Sequence, residues 1–236
     1  MHRFRKTLAW LVVVSLLAVS PALATEAVSR PNVLLITVDD MNCDSVGAFG
    51  CKIPDITPNI DRLAASGLRF ERGHVTIATC QPTRAAWMTG RYPHRSGALG
   101  FDPIDKGVPT LLEALHDAGY YTGILAKVPH VVPTRGAAWD VVVQASQLAN
   151  GRHPELYHEQ TSKFLAAAKK DHKPFFLMAN AQDPHRPFAT AANPRRKKRP
   201  NQTNARAPIS RVIEPDEIDL PGFLPDLEPA EMLEVT

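Results

Sequence analysis

The sequence of 236 residues is poor in cysteine and aromatic residues, with 3 Cys and 7% Phe, Trp and Tyr. Three cysteines are too few for a small fold held by a disulfide framework. The 13 Gly and 21 Pro form no repeat, which excludes a collagen-like chain, and 44% hydrophobic content argues against intrinsic disorder. We therefore expect one sizeable globular domain or two small ones.

The excess of positive over negative charge is confined to the first residues of the chain. The formal net charge is +3, and Arg3, Arg5 and Lys6 all precede the first acid, Glu26. Removal of residues 1–24 would therefore leave a formally neutral chain. Nucleic-acid binding through overall charge is excluded on this ground.

A short apolar run follows these bases, from Leu8 to Val19, and leads to Pro21 and the small-x-small triplet at residues 22–24. This order is typical of a signal peptide, so we expect residues 1–24 to direct export to the periplasm or the extracellular space. An uncleaved N-terminal anchor is the alternative, although the run is short for a membrane span. We expect no stable membrane anchor after cleavage.

Beyond this segment, apolar runs alternate with helix-like segments. The alternation predicts an α/β fold with a layered parallel sheet. The first run is continuous and rich in β-branched residues, which predicts a strand buried on both faces. The predicted strands are 32–38, 68–75, 120–126 and 174–180, and the predicted helices are 58–66, 111–118 and about 155–170.

Polar residues follow three of these strands, where ligands bind in α/β sheets. They are Asp39 and Asp40, Lys127, and residues 183–185 with His185. Adjacent carboxylates at a strand end suit a hard cation such as Ca²⁺ or Mg²⁺. A solvated turn is the alternative interpretation of the acidic pair.

A fourth group of polar residues lies in the segment Cys80-Gln-Pro-Thr-Arg84. Pro82 favours the first turn of a helix, which would put Cys80 at the positive end of the helix dipole. Arg84, one turn further on, carries a guanidinium fork suited to a sulfate or phosphate edge. Cys80 is then either a low-pKa thiolate nucleophile or an inert buried cysteine.

The spacing Cys80-x-Pro82-x-Arg84, followed by Thr-Gly-Arg91, resembles the signature of type I sulfatases. Further strings of that family occur in the same order over residues 31–188. They are the opening strand with its Asp pair, Thr57 to Ala64, Gly90 to His94, Lys127-x-x-His130 and Asp183 to Phe188. The last two strings are closest to the iduronate-sulfatase-like and heparan N-sulfatase-like branches.

The resemblance implies an alkaline-phosphatase-like layered sheet with helices on both faces. It also implies that a formylglycine-generating enzyme oxidises Cys80 to Cα-formylglycine. The hydrated aldehyde would attack the sulfur of a sulfate ester or N-sulfate, with metal ligands from Asp39, Asp40 and modified Cys80. The expected substrate is a sulfated carbohydrate, as in glycosaminoglycan degradation.

The same resemblance assigns roles to four further residues. Arg84 and Lys127 would stabilise charge near the modified residue, with Lys127 also contacting sulfate. His130 would act as the base that helps to expel sulfate, and His185 would bind sulfate or protonate the leaving oxygen. Hydrolysis of phosphate or phosphonate esters by the same superfamily is the alternative reaction.

The sequence departs from the family pattern at Thr83, where serine is commoner, at Ala126, where a glycine is usual, and at the end of the chain. The later Asp-Asn-Gly or Asp-His-Gly segment does not occur after His185. We therefore expect residues 25–194 to be the N-terminal part of a sulfatase catalytic domain that is truncated before its later strands. A catalytically inactive fragment that binds anionic glycans is a further alternative.

Residues 195–236 form a predicted loop or linker, first basic and then acidic and rich in proline. The basic run at 195–199 either holds a sulfated polysaccharide or is a solvated loop. Cys43 and Cys51 either form a disulfide or remain free thiols.

Overall fold

The computed structural model describes residues 30–133 and 139–186, together with 213, 217 and 218. The predicted signal peptide and the basic run lie outside these residues. Four parallel strands form one sheet in the order β1-β4-β2-β3. They are β1 (Val33–Asp39), β2 (Tyr121–Leu125), β3 (Val141–Val143) and β4 (Phe175–Pro184).

Five α-helices accompany the sheet in the described part of the chain. They are α1 (Pro58–Ser66), α2 (Cys80–Thr89), α3 (Pro93–Ser96), α4 (Leu111–Asp117) and α5 (Pro154–Lys170). Helix α4 begins with a capping box, in which Thr110 and Glu113 each accept a hydrogen bond from the other's backbone N–H. The predicted α/β class is therefore confirmed.

Two apolar clusters pack on opposite faces of the sheet, because side chains alternate along each strand. Ile124 and Met178 pack with Met88 of α2 in one cluster. Leu125 and Leu177 pack with Phe164 of α5 in the other. Helices thus cover both faces, as predicted.

Gly123 of β2 allows α5 to approach the sheet closely. A Cβ atom at this position would lie 2.4 Å from Phe164 Cε2. Any larger residue would therefore push α5 away from the strand.

Strand β1 lies at an edge of the sheet and differs from expectation on one face. Thr37 and Asp39 are buried, whereas Leu34 and Ile36 are 50% and 62% exposed. The prediction of burial on both faces is therefore wrong for the described residues. The apolar run does form the predicted strand, but only its alternate side chains pack against other elements.

One further prediction is wrong. No strand forms over residues 68–75, where Leu68 and Phe70 are largely exposed. The intervening Arg69 instead donates to the Ala48 carbonyl at 2.5 Å and to Glu71 at 2.7 Å, which holds this segment as a loop.

The three cysteines are free thiols, so the disulfide alternative is not realised. Among the described residues, no helix has the length and apolar character needed to cross a bilayer.

Candidate active site

The carboxyl ends of β1, β2 and β4 bring the predicted polar residues to one edge of the sheet. Asp39 is the last residue of β1, and it pairs in register with Pro184 near the end of β4. Lys127 follows β2 by two residues, and His185 follows β4 directly. Three of the predicted groups therefore meet at the expected edge.

Asp39 is a buried carboxylate held between two cations. Its Oδ1 accepts a hydrogen bond of 3.1 Å from Arg84 Nη1, and its Oδ2 accepts one from Lys127 Nζ. All three side chains are at least nine-tenths buried. Burial alone raises the pKa of Asp39, but the hydrogen bond from Lys127 and the charges of Arg84 and Lys127 outweigh burial and lower this pKa below 3.8.

Cys80 is the first residue of α2 and is half-buried. The preceding Thr79 is extended and offers no side-chain cap, so the first backbone N–H groups of the helix lack this partner. Pro82 occupies the first turn, as predicted. The local geometry therefore suits an anion beside Cys80.

Arg84 lies one turn along α2 and is anchored at several atoms. Nη1 also donates to the Cys80 carbonyl at 3.2 Å, and Nη2 donates to Thr37 Oγ1 at 3.4 Å. Its guanidinium carbon lies 5.8 Å from the centre of the Trp87 ring. Arg84 is thus fixed between Cys80 and β1 and is not free to swing into solvent.

His130 ends the short 3₁₀ turn Val128–His130, which packs against α2. Burial and the charges of Lys127 and Arg84 lower the pKa of His130 from 6.5 to about 4, although Asp39 opposes the shift. His130 Nδ1 is buried and has no hydrogen-bond partner among the described residues. The imidazole is therefore neutral near pH 7 and can accept a proton.

Asp40 and His185 form the exposed side of the same region. Asp40 has a left-handed backbone with φ of 61°, and its Oδ2 lies 3.5 Å from His185 Nε2. Arg152 Nη2 donates to the His185 carbonyl at 2.8 Å and pairs with Asp183 through Nη1. His185 is thus positioned through its backbone, whereas its ring is partly open to solvent.

Sequence reasoning missed a buried network that joins these strand ends. Thr37 Oγ1 donates to Asn180 Oδ1 at 2.7 Å, and Asn180 Nδ2 donates to the carbonyls of Leu125 at 3.0 Å and Ala126 at 3.3 Å. Both side chains are buried. The available signal was a lone amide in the apolar run Phe175 to Ala181.

Comparison with known proteins shows the family to which the chain belongs. Residues 31–214 match the family model described as Sulfatase. The chain belongs to the sulfatase family. The signature around Cys80, the strand ends and the segment to Arg186 all lie within the matched range.

Two curated sulfatases illustrate how much of a relative is matched. Arylsulfatase A of Bos taurus is 43% identical over 118 residues, which is 47% of this chain and 23% of that protein. Steryl-sulfatase of Homo sapiens is 38% identical over 115 residues, which is 44% of this chain and 20% of that protein. The matched part of the chain thus spans about a fifth of each relative's length.

Solved structures share the fold of this sulfatase-family chain. One structure, in complex with its substrate D-glucosamine-2-N,6-O-disulfate, has a TM-score of 0.56 and 24% identity, with 67% of this chain and 35% of that chain covered. An alkaline phosphatase superfamily protein of Vibrio parahaemolyticus has a TM-score of 0.54 and 20% identity, with coverages of 75% and 46%. The alkaline-phosphatase-like fold is therefore confirmed.

A third structure, Ps i-CgsB with κ-ι-κ-neocarrahexaose, has a TM-score of 0.53. It is 27% identical, and the match covers 67% of this chain and 46% of that chain.

The divalent metal that the resemblance implies would need oxygen ligands around Asp39 and Asp40. A Ca²⁺ ion needs six to eight oxygen ligands. The described residues contain no group of three or more His, Cys, Asp or Glu side chains that could hold a metal. Both oxygens of Asp39 are already bonded to Arg84 and Lys127. Asp39 and Asp40 alone therefore do not fit a bound metal without further oxygen ligands.

Proposed function

We propose that this chain carries the nucleophile and anion-binding residues of a hydrolase that cleaves sulfate esters or N-sulfates of a sulfated carbohydrate. One observation carries the proposal: Cys80 begins α2 while Arg84, one turn later, bonds both the Cys80 carbonyl and Asp39. This arrangement fixes a cation, a helix N-terminus and a potential nucleophile beside one another.

Cys80 is the proposed nucleophile after conversion to Cα-formylglycine by a formylglycine-generating enzyme. The hydrated aldehyde supplies a hydroxyl nucleophile that a thiol does not. The backbone N–H groups at the N-terminus of α2 are suited to donate hydrogen bonds to the sulfate oxygens. These bonds would stabilise the negative charge that develops there, as in an oxyanion hole. Arg84 and Lys127 place two cations against the one buried carboxylate of Asp39, whereas the second carboxylate, Asp40, is exposed beside His185. The buried part of the site therefore favours an anion such as a sulfate ester.

His130 and His185 are the proposed proton carriers. His130 is neutral at pH 7 because its pKa is about 4, so it can accept the proton of the second hydroxyl as sulfate is expelled. His185 lies on the open side near Asp40, where a leaving oxygen could receive a proton. The two imidazoles thus have different surroundings, which suits a base and an acid.

The carbohydrate part of the proposal is supported by relatives. The curated matches include an N-acetylgalactosamine-6-O-sulfatase of Bacteroides thetaiotaomicron. Two of the solved structures hold a glucosamine disulfate and a carrahexaose. Export of the chain is supported by the signal-peptide-like residues 1–24.

We propose that Asp39, Asp40 and modified Cys80, together with further oxygen ligands, would hold a divalent metal. A bound Ca²⁺ or Mg²⁺ would supply Lewis-acid chemistry at the sulfate. Asp39 could contribute only if Lys127 moved from its Oδ2.

The test combines mass spectrometry with turnover. The chain is co-expressed with a formylglycine-generating enzyme, and the mass of the peptide containing Cys80 is measured. A loss of mass that matches replacement of the thiol by an aldehyde is expected, and Cys80→Ala is the matched control. A thiol that stays unmodified would contradict the proposed nucleophile.

Modified protein is then assayed with Ca²⁺ on matched sulfate and phosphate esters. Sulfate turnover that is lost in Cys80→Ala supports the proposal. Faster phosphate turnover would replace it with the phosphate-ester alternative. Complete modification without any turnover would indicate an inactive fragment that at most binds anionic glycans.

A further inference from the structure

Phe101 is an exposed aromatic residue in contact with His130. The two ring centroids are 6.5 Å apart and the rings are nearly perpendicular, at 84°. Phe101 is 70% exposed, so most of its ring is open to solvent. A large apolar surface is therefore presented beside a half-buried histidine of the proposed active site.

The loop that carries Phe101 is fixed on both sides. Gln81, the residue after Cys80, donates from Nε2 to the Asp102 carbonyl at 2.9 Å. Three residues after Phe101, Ile104 is buried and bridges to Pro133. The exposure of Phe101 is thus a property of an anchored loop and not of a loose one.

The link through Gln81 also defines where Phe101 lies. It joins the Phe101 loop to the first turn of α2, while the ring contact joins Phe101 to the 3₁₀ turn that ends in His130. Phe101 therefore borders the region between Cys80 and His130, where a sulfate group is proposed to react. A sulfate group is small and polar and gains little from an aromatic face. The sugar ring that bears the sulfate can gain more binding energy from contact with an aromatic face.

We propose that Phe101 forms a binding subsite for the sugar ring that carries the reacting sulfate. The sugar ring stacks its C–H face on the aromatic ring of Phe101. The exposed Asp102 beside it offers a carboxylate acceptor for sugar hydroxyls. This pairing of an apolar face with an acceptor suits a pyranose better than an entirely apolar alcohol. The inference rests on the proposed function, because the sulfate position is defined by Cys80, Arg84 and Lys127.

The test is a binding measurement on the full chain with unmodified Cys80, so that turnover does not interfere. Amide NMR titrations give the Kd of N-acetylglucosamine 6-sulfate and, separately, of inorganic sulfate. Phe101→Ala should weaken sugar-sulfate binding about threefold to tenfold, the range of an aromatic contact, and leave inorganic sulfate unchanged. Phe101→Trp should retain the sugar affinity, with upfield shifts of sugar ring protons.

Phe70→Ala is the matched control, because Phe70 is 77% exposed and lies on a loop outside the proposed site. Equal weakening of both ligands, or no change in Phe101→Ala, would overturn the subsite. If the wild-type chain binds neither ligand, both the anion site and the subsite fail. If sugar binding depends on Phe101 but modified protein shows no turnover, only the proposed reaction fails.

Discussion

Thr37 Oγ1 lies 2.7 Å from Asn180 Oδ1, and this buried hydrogen bond joins β1 to β4 next to the charged cluster. Thr37 also accepts from Arg84, while Asn180 donates to the two carbonyls that precede Lys127. The pair therefore links the two cations that hold Asp39. Thr37 contacts Arg84 directly, and Asn180 holds the backbone just before Lys127.

Asn180→Leu should lower the free energy of unfolding by about 2–4 kcal/mol. The substitution leaves the Thr37 hydroxyl and two backbone carbonyls without their partner, and each buried unpaired group costs about 1–3 kcal/mol with partial relaxation. Urea unfolding measures the change. Thr37→Val should cost less, because Arg84 and Asn180 both lose a bond to Thr37 but keep their bonds to other residues.

The double variant Thr37→Val with Asn180→Leu tests the coupling. The losses of unfolding free energy in the two single variants should add up to about 1 kcal/mol more than the loss in the double variant, as expected for residues in one network. Additive effects would contradict a direct energetic link between Thr37 and Asn180.

The stability of the protein should depend on His130 below pH 6.5. The folded pKa of about 4 lies below the usual 6.5, so the unfolded state binds more protons between these values. The free energy of unfolding should therefore fall as the pH drops from 6.5 to 4. Urea unfolding of wild type and His130→Gln across this range measures the effect.

His130→Gln should lose less stability than wild type over that pH window. Asp39, whose pKa is lowered below 3.8, contributes a loss at still lower pH in both proteins. Parallel pH profiles for the two proteins would show that His130 does not titrate as stated.

Ala126→Gly should change stability by less than about 0.5 kcal/mol. Ala126 has φ of 57°, a left-handed conformation that costs a residue with a Cβ about 1–2 kcal/mol. Relief of this cost offsets the lost buried methyl group and the greater freedom of glycine in the unfolded chain.

The control is Ala166→Gly, at an exposed position inside α5. It should destabilise the protein by about 1 kcal/mol, because glycine is unfavourable within a helix. Thermal unfolding compares the two. An equal loss in both variants would mean that the backbone at Ala126 carries no strain.

Binding of Ca²⁺ to the chain should be weak, with a Kd above about 1 mM, and Lys127→Ala should tighten it. The described residues offer few oxygen ligands at this position, and Lys127 competes for Asp39 Oδ2. Isothermal titration calorimetry measures both proteins. Lys163→Ala, which removes an exposed lysine of α5, is the matched control.

Asp40→Asn in the Lys127→Ala background should weaken Ca²⁺ binding again, because one carboxylate is lost. If Lys127→Ala binds Ca²⁺ no better than wild type, the ammonium is not the competitor of the metal.

The sequence predicted the elements that have a strong local signal. Strands β1, β2 and β4 arise from apolar, β-branched runs, and α2 begins at the predicted cysteine and proline. Strand β3 was missed, because three valines are too short a pattern to distinguish from a loop. Residues 68–75 had apolar positions but found no partner strand, a property of the tertiary structure that the local pattern does not contain.

The composition of the candidate site could be predicted from the sequence, but the pairing of its side chains could not. Residue types and strand ends indicated that Asp39, Lys127 and His185 would meet. The sequence did not indicate that Asp39 would be paired with both Arg84 and Lys127, because long side chains can reach several partners. Ala126 was recognised as unusual, and its left-handed backbone explains why glycine is common there.

The burial of α2 also limits when the proposed conversion of Cys80 can take place. Pro82 and Arg84, which with Cys80 form the signature, are covered in the folded chain, and Arg84 is only 2% exposed. An enzyme that recognises these side chains must reach them before the helix docks on the sheet. If Cys80 is converted as proposed, conversion and folding compete in time, and rapid folding of a newly made chain would leave it with a thiol.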